Sequence, residues 1–120
     1  MKPTLAIIGA SADPTKYSNQ SLLAHHQAGY EIYPINPREE TIAGLKCYKS
    51  ILDVPVALER ISLYVPPAIG VKLLDEIAKK GCREFWVNPG ADSPELLAKA
   101  SQLGLNTICA CSYLDAASRA

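Results

Sequence analysis

The stretch LAIIGASADPTKYSNQSLLAHHQAGYEIYPINP, residues 5–37, contains an apolar run, a polar turn, a helix-length segment and a second apolar run. Leu5-Ala6-Ile7-Ile8 has the length of a short buried strand, and Gly9 closes it. Ser18 is placed to cap a helix running to about Ala28, with Leu22, Leu23 and Gln27-Ala28 on its inner face and Gly29 as its stop. Tyr30 to Ile35 reads as the next strand, ended by Asn36-Pro37. Pro34 lacks a ladder donor, so that strand is expected to end early. Strand, helix and strand at this spacing make a right-handed crossover between parallel neighbours.

The rest of the chain repeats the unit. Ile42 to Tyr48 reads as a short extended piece, and Ser50-Ile51-Leu52-Asp53 has the spacing of a capped helical turn before Pro55. Ile61 to Val65 is a third strand, halted by Pro66-Pro67. A helix to Lys80 follows, with Ile69, Leu73 and Ile77 as its inner stripe and Gly81 as its end. Glu84 to Val87 is a fourth strand, broken by Asn88-Pro89-Gly90. Ser93-Pro94-Glu95 opens a helix ending at Gly104, with Leu96, Leu97, Ala100 and Leu103 inward. Asn106 to Cys109 is a fifth strand, and the tail to Ala120 reads as a partial helix. The pattern predicts a single α/β domain over residues 1–120: Rossmann-like, doubly wound, with a mainly parallel five-stranded sheet covered by helices on both faces.

Composition agrees with one soluble domain. The chain has 120 residues, 48% of them hydrophobic and 20% charged. Twelve Lys and Arg balance twelve Asp and Glu, which argues against a nucleic-acid surface. No apolar run approaches the ~20 residues of a membrane span, and no signal peptide is visible, so a cytoplasmic protein with reduced thiols is expected. Cys47, Cys82, Cys109 and Cys111 form no CxxC. Cys109 and Cys111 would share one side of a strand, but a tetrahedral site needs two more ligands, and adjacent His25 and His26 diverge on a helix. The cysteines read as structural or incidental, and no metal site is expected.

In such folds ligands sit beyond the carboxyl ends of the strands. Those ends read Gly9-Ala10-Ser11, Asn36-Pro37-Arg38, Tyr64-Val65-Pro66-Pro67 and Asn88-Pro89-Gly90. Gly and Pro also end strands for local reasons. Four backbone-exposing ends without a His or a carboxylate pair nevertheless favour a nucleotide cradle over a reaction centre, and no catalytic residue is assigned. The three glycines of a dinucleotide fingerprint are missing. The loop through Ala12, Asp13, Pro14, Lys16 and Tyr17 still offers backbone amides, the Ser11 and Ser18 hydroxyls and a helix N-terminus to a pyrophosphate. Lys16 reads equally as a cation for the ligand or as a solvated loop lysine. Where an NAD site wants a carboxylate, this chain has Arg38, which suits a ribose phosphate unless Glu39 and Glu40 occupy it.

The motifs G-A-S-x-D-P-x-K-Y-S at 9–18, G-Y-x-I-x-P-I-N-P at 29–37, I-x-G at 42–44 and Y-V-P-P at 64–67 resemble the small bacterial CoA-binding domain proteins. Gly81 to Gly90 is similar too, and the likeness spans nearly the whole chain. More distantly, Tyr64 to Pro67 and the helix after them resemble the N-terminal domain of the succinyl-CoA synthetase alpha subunit. The resemblance implies coenzyme A contacts at Gly9 to Ala12, at Arg38 and at Val87 to Pro89. This chain reads Cys109-Ala110-Cys111-Ser112 where the family usually carries an Arg-Cys pair, so no charge contact carries over there. The synthetase's phospho-histidine domain has no counterpart in these residues.

The leading expectation is a protein that binds coenzyme A or an acyl-CoA without catalysis of its own. Pyrophosphate would lie on the first turn, the 3′-phosphate on Arg38 with Lys16, and Pro66-Pro67 and Asn88-Pro89 would wall the adenine or pantetheine. An NADP-dependent oxidoreductase fragment is the second reading. A regulatory or assembly module is the third, in which a second copy or a protein partner meets exposed apolar groups such as Trp86 or Leu114.

Overall fold

The computed structural model describes residues 1–119, in the order β1 (Thr4–Ile8), α1 (Tyr17–Gln27), β2 (Glu31–Ile35), β3 (Thr41–Ile42), β4 (Leu45–Lys46), a 3-10 turn (Ile51–Asp53), β5 (Arg60–Leu63), α2 (Pro67–Lys80), β6 (Glu84–Val87), α3 (Pro94–Gln102), β7 (Thr107–Cys109) and α4 (Ser112–Ala117). The expected tail helix is α4, and Ala120 lies outside the described residues. Five strands form one sheet in the order β2-β1-β5-β6-β7, and every pairing in it is parallel. After β2 the chain crosses back over β1 to β5. The crevice beyond β1 and β5 is therefore the switch point where open α/β sheets take ligands.

Strand alternation sorts side chains to two layers. Ala6, Ile8, Ile61, Leu63, Phe85 and Val87 pack with Leu74, Ile77, Leu96 and Ala100 of α2 and α3. Leu5, Ile7 and Ile32 pack with Leu22 of α1 on the opposite face, where α1 lies against α4. Beneath α4 that second face is polar: Arg60, Ser62 and Asn88 are all buried. The Rossmann-like α/β architecture is as expected.

Several local expectations are corrected. Lys16, not Ser18, occupies the N-cap of α1, and no side chain caps it; Ser18 is buried in the first turn. Leu23 is exposed, and the buried side of α1 is largely Ser18, Asn19, Ser21, Leu22 and His25, so an apolar stripe never existed to be read. In α2 the buried positions are Gly70, Leu74 and Ile77, while Ile69 is 50% exposed. The early strand end at Pro34 does not occur. Pro34 sits on the edge strand and turns its carbonyl outward to the Tyr48 amide at 2.9 Å, so its missing donor falls outside the ladder to β1. The extended piece at 42–48 is a hairpin, with Ala43 and Gly44 both at positive φ in its tip. Capping at α3 is as expected: Ser93 Oγ accepts from the Leu96 amide at 3.0 Å, although Leu103 is exposed beyond the helix.

Candidate functional site

Gly9 ends β1 at φ +86, and a Cβ there would stand 2.9 Å from both the Tyr64 carbonyl oxygen and Val65 Cγ1. The turn thus demands glycine twice, for conformation and for close approach to the end of β5. The Gly9 and Ala10 amides both donate to the Ile35 carbonyl, at 3.1 and 3.2 Å. They tie β1 to β2 and are not the free phosphate donors expected. Asn36 holds the same corner: its Nδ2 donates to the Ala10 carbonyl and its Oδ1 accepts from the Arg38 amide, both at 2.8 Å. Asn19 Nδ2 pins the loop by donating to the Ser11 carbonyl at 3.0 Å, and Asp13 accepts from the Thr15 amide and hydroxyl. The N-terminus of α1, with no side-chain cap and no acid in its first turn, faces into this loop.

A cavity of about 530 Å³ opens at the switch point, and its lining includes Gly9, Asn36, Pro37, Arg38, Lys49, Val65, Ile69, Leu73 and Glu76. Ile69 therefore supplies a cavity wall outside the core, and Leu73 packs against the core while lining the same cavity. Ser50 Oγ donates to Glu76 Oε1 at 2.8 Å and fixes that carboxylate. Lys49, Glu76, Ile69 and Leu73 went unnoticed as site residues, since nothing local distinguishes a loop lysine or an amphipathic helix facing a cleft. A shallower hollow lies beside Val65, lined by Tyr64, Val65, Pro66, Pro89, Gly90 and Ala91. A further cavity of about 500 Å³ lies between α1, α4 and the turn after β6, where Tyr17, Asn88 and Pro89 contribute.

Other expected site residues are placed differently. Ala12, Pro14 and Lys16 lie exposed on the loop, outside these three hollows. Pro67 is the first residue of α2. Val87 is fully buried among Leu63, Leu96 and the α2–α3 core, so its side chain is structural. Trp86 is also buried, over Arg60, and forms no exposed patch; Leu114 is 63% exposed. Cys109 ends β7 while Cys111 caps α4, so the two do not share a strand face. All four cysteines are free, and burial pushes the Cys82 thiol up to about 11.

The second-face polar residues form one network that sequence reading missed. Asn88 Nδ2 donates to Ser62 Oγ and to the Leu63 carbonyl, and its Oδ1 accepts from the Ser112 amide, each at 2.8 Å. Ser112 Oγ meets Ser62 Oγ at 2.6 Å, Tyr64 OH at 3.2 Å and Ser21 Oγ at 3.3 Å. Farther along, buried Arg60 bonds Glu84 Oε1 at 2.9 Å and Asp115 Oδ2 at 2.6 Å, with its guanidinium between the Tyr30 and Trp86 rings. The network fastens α4 to the sheet and reaches the candidate site through Asn88 and Tyr64.

A family model described as a CoA binding domain matches residues 3–116. The chain belongs to the CoA-binding domain family. Among relatives of this CoA-binding domain, an ADP-forming acetate–CoA ligase of Methanocaldococcus jannaschii is 39% identical over 80 residues, 67% of this chain and 11% of the ligase. The alpha subunit of ADP-forming acetate–CoA ligase II from Pyrococcus furiosus is 37% identical over 81 residues, 66% of this chain and 18% of the subunit. The CoA-binding domain thus spans under a fifth of the length of these ligases. A conserved hypothetical protein from Pyrococcus furiosus superposes with a TM-score of 0.85 at 32% identity, covering 94% of this chain and 98% of its own. The dinucleotide-forming acetyl-coenzyme A synthetase 1 of Ca. Korarchaeum cryptofilum, in complex with phosphate and ADP, gives 0.77 at 29% identity, over 89% of this chain and 25% of the synthetase.

Proposed function

We propose that this chain binds coenzyme A or an acyl-CoA as a small-molecule ligand at the carboxyl edge of its sheet, with no reaction of its own. The observation that carries the reading is the cavity at the switch point, which joins two cations, Arg38 and Lys49, to the apolar wall of Ile69, Leu73 and Val65. A nucleotide with a phosphorylated ribose needs that pairing, a cationic contact for the phosphate and an apolar surface for the base. Glu76, held by Ser50, adds an acceptor of the kind an adenine amino group takes. The pyrophosphate falls to the uncapped N-terminus of α1 and to the Ser11 and Ala12 amides, since the Asp13, Thr15 and Lys16 amides are bonded within the loop. The family membership and the ligase relatives support the same ligand. Since those relatives are several times longer, a protein partner that supplies acyl transfer fits the reading as well.

The test compares coenzyme A, dephospho-CoA and NADP by thermal shift and calorimetry, on the wild type and on Arg38→Glu. Loss of one charge-assisted contact should weaken coenzyme A about 10- to 100-fold more than dephospho-CoA. Equal losses would remove the phosphate from Arg38. Stabilisation by NADP and not by coenzyme A would replace this reading with the dinucleotide one.

A further inference from the structure

We propose that the cavity between α1, α4 and the turn after β6 holds the acyl end of the ligand, so that the chain prefers an apolar acyl-CoA to free coenzyme A. The inference rests on the coenzyme A reading above and adds the chemical class of the bound form.

Three hollows follow one another along the carboxyl edge. The nucleotide cavity and the shallow hollow share Val65, and the hollow and the far cavity share Tyr64 and Pro89. Their chemistry changes along the way. Arg38, Lys49 and Glu76 line the first, whereas none of the described residues lining the last is charged. The two polar side chains at the inner end of the last cavity, Asn88 and Tyr64, are already engaged. Asn88 spends its amide on Ser62, Leu63 and the Ser112 amide, and Tyr64 OH meets Ser112 Oγ at 3.2 Å. What remains for an occupant is mainly ring and aliphatic surface, with the Gln20 amide and the Tyr17 and Tyr113 hydroxyls as its polar groups. Tyr17 and Tyr113 lie with ring centroids 6.2 Å apart, and Tyr17 and Leu114 are 65% and 63% exposed. Such aromatic and leucine surface gains by being covered. A ligand with an ionic end, a long arm and an apolar end matches this sequence of hollows, and a cavity of about 500 Å³ has room for an acyl group as bulky as a benzoyl.

Calorimetry with coenzyme A, acetyl-CoA and benzoyl-CoA on the full chain tests this. Benzoyl-CoA should bind about tenfold tighter than coenzyme A, with acetyl-CoA between them. In Leu114→Asp the ratio of benzoyl-CoA to coenzyme A affinity should fall to about one. A second readout needs no variant. Cys111 lines the cavity and Cys109 is exposed outside it. Benzoyl-CoA should slow iodoacetamide alkylation of Cys111, mapped by peptide mass, and leave Cys109 alkylation unchanged. Binding of coenzyme A with no acyl preference and no protection of Cys111 would overturn the acyl cavity while leaving the coenzyme A reading intact. Absence of binding by all three ligands would overturn both.

Discussion

His25 should make this fold lose stability as the pH falls from neutral. The ring is fully buried in α1. Its Nδ1 lies 2.8 Å from the Ser21 carbonyl, so that nitrogen carries the proton, and Nε2 accepts from Arg60 Nη1 at 3.3 Å. A second proton would have to sit on Nε2, against a guanidinium and out of water. Burial first, and then Arg60, hold the His25 pKa down at about 4 from an ordinary 6.5, against the pull of the Ser21 carbonyl. The unfolded chain therefore binds a proton between those two values that the folded chain refuses. Stability is fully present above 6.5, falls through the window and levels off below 4. From about pH 7.5 to pH 5 the loss works out at about 2 kcal/mol, with a slope approaching 1.4 kcal/mol per pH unit. Urea unfolding at a series of pH values measures it. His25→Gln, whose amide oxygen can take the place of Nε2 before Arg60, should be less stable at neutral pH and should lack the slope in this window. A parallel loss of stability in the two proteins, or an NMR titration midpoint of His25 near 6.5, would refute a buried neutral ring as the source of the slope.

Gly9→Ala should cost about 2–4 kcal/mol in urea unfolding, the sum of a left-handed backbone and a Cβ driven against the Tyr64 carbonyl; a loss under 1 kcal/mol would mean the turn relaxes freely. Asn88→Ala strands the Ser112 amide and the Leu63 carbonyl and should cost about 3 kcal/mol, with hydrogen exchange rising first in α4. Ser93→Ala removes the cap of α3 and should cost about 1 kcal/mol without altering ligand affinity. Lys49→Ala should weaken coenzyme A binding by about tenfold or less and flatten its salt dependence; an unchanged affinity would leave Arg38 as the sole cation of the phosphate site.

The Rossmann-like sheet was readable because its signals are local. The strands β1, β2, β5 and β6 are short runs stopped by Gly, Pro or Asn, and three of the four crossovers hold one helix with a stop at Gly29, Gly81 or Gly104. The corner at Gly9, Asn36 and Arg38 was readable for the same reason, as strand ends are where such a fold exposes its backbone. α1 was harder. Four of its six buried residues are polar, so periodicity assigned Leu23 inward although it faces solvent.

By itself, the order of residues determined the strand–helix alternation, the parallel sheet and the family, because these depend on neighbours a few positions apart. Tertiary structure alone decided which amides of the first turn are spent on Ile35, that Lys49 joins Arg38 while Lys16 does not, that Ile69 walls a cavity instead of a core, and that His25, Arg60 and Asn88 share a network with α4. Each of these depends on partners brought together from distant parts of the chain. A polar side chain does not reveal whether it will meet water or another polar group until the fold has chosen its neighbours.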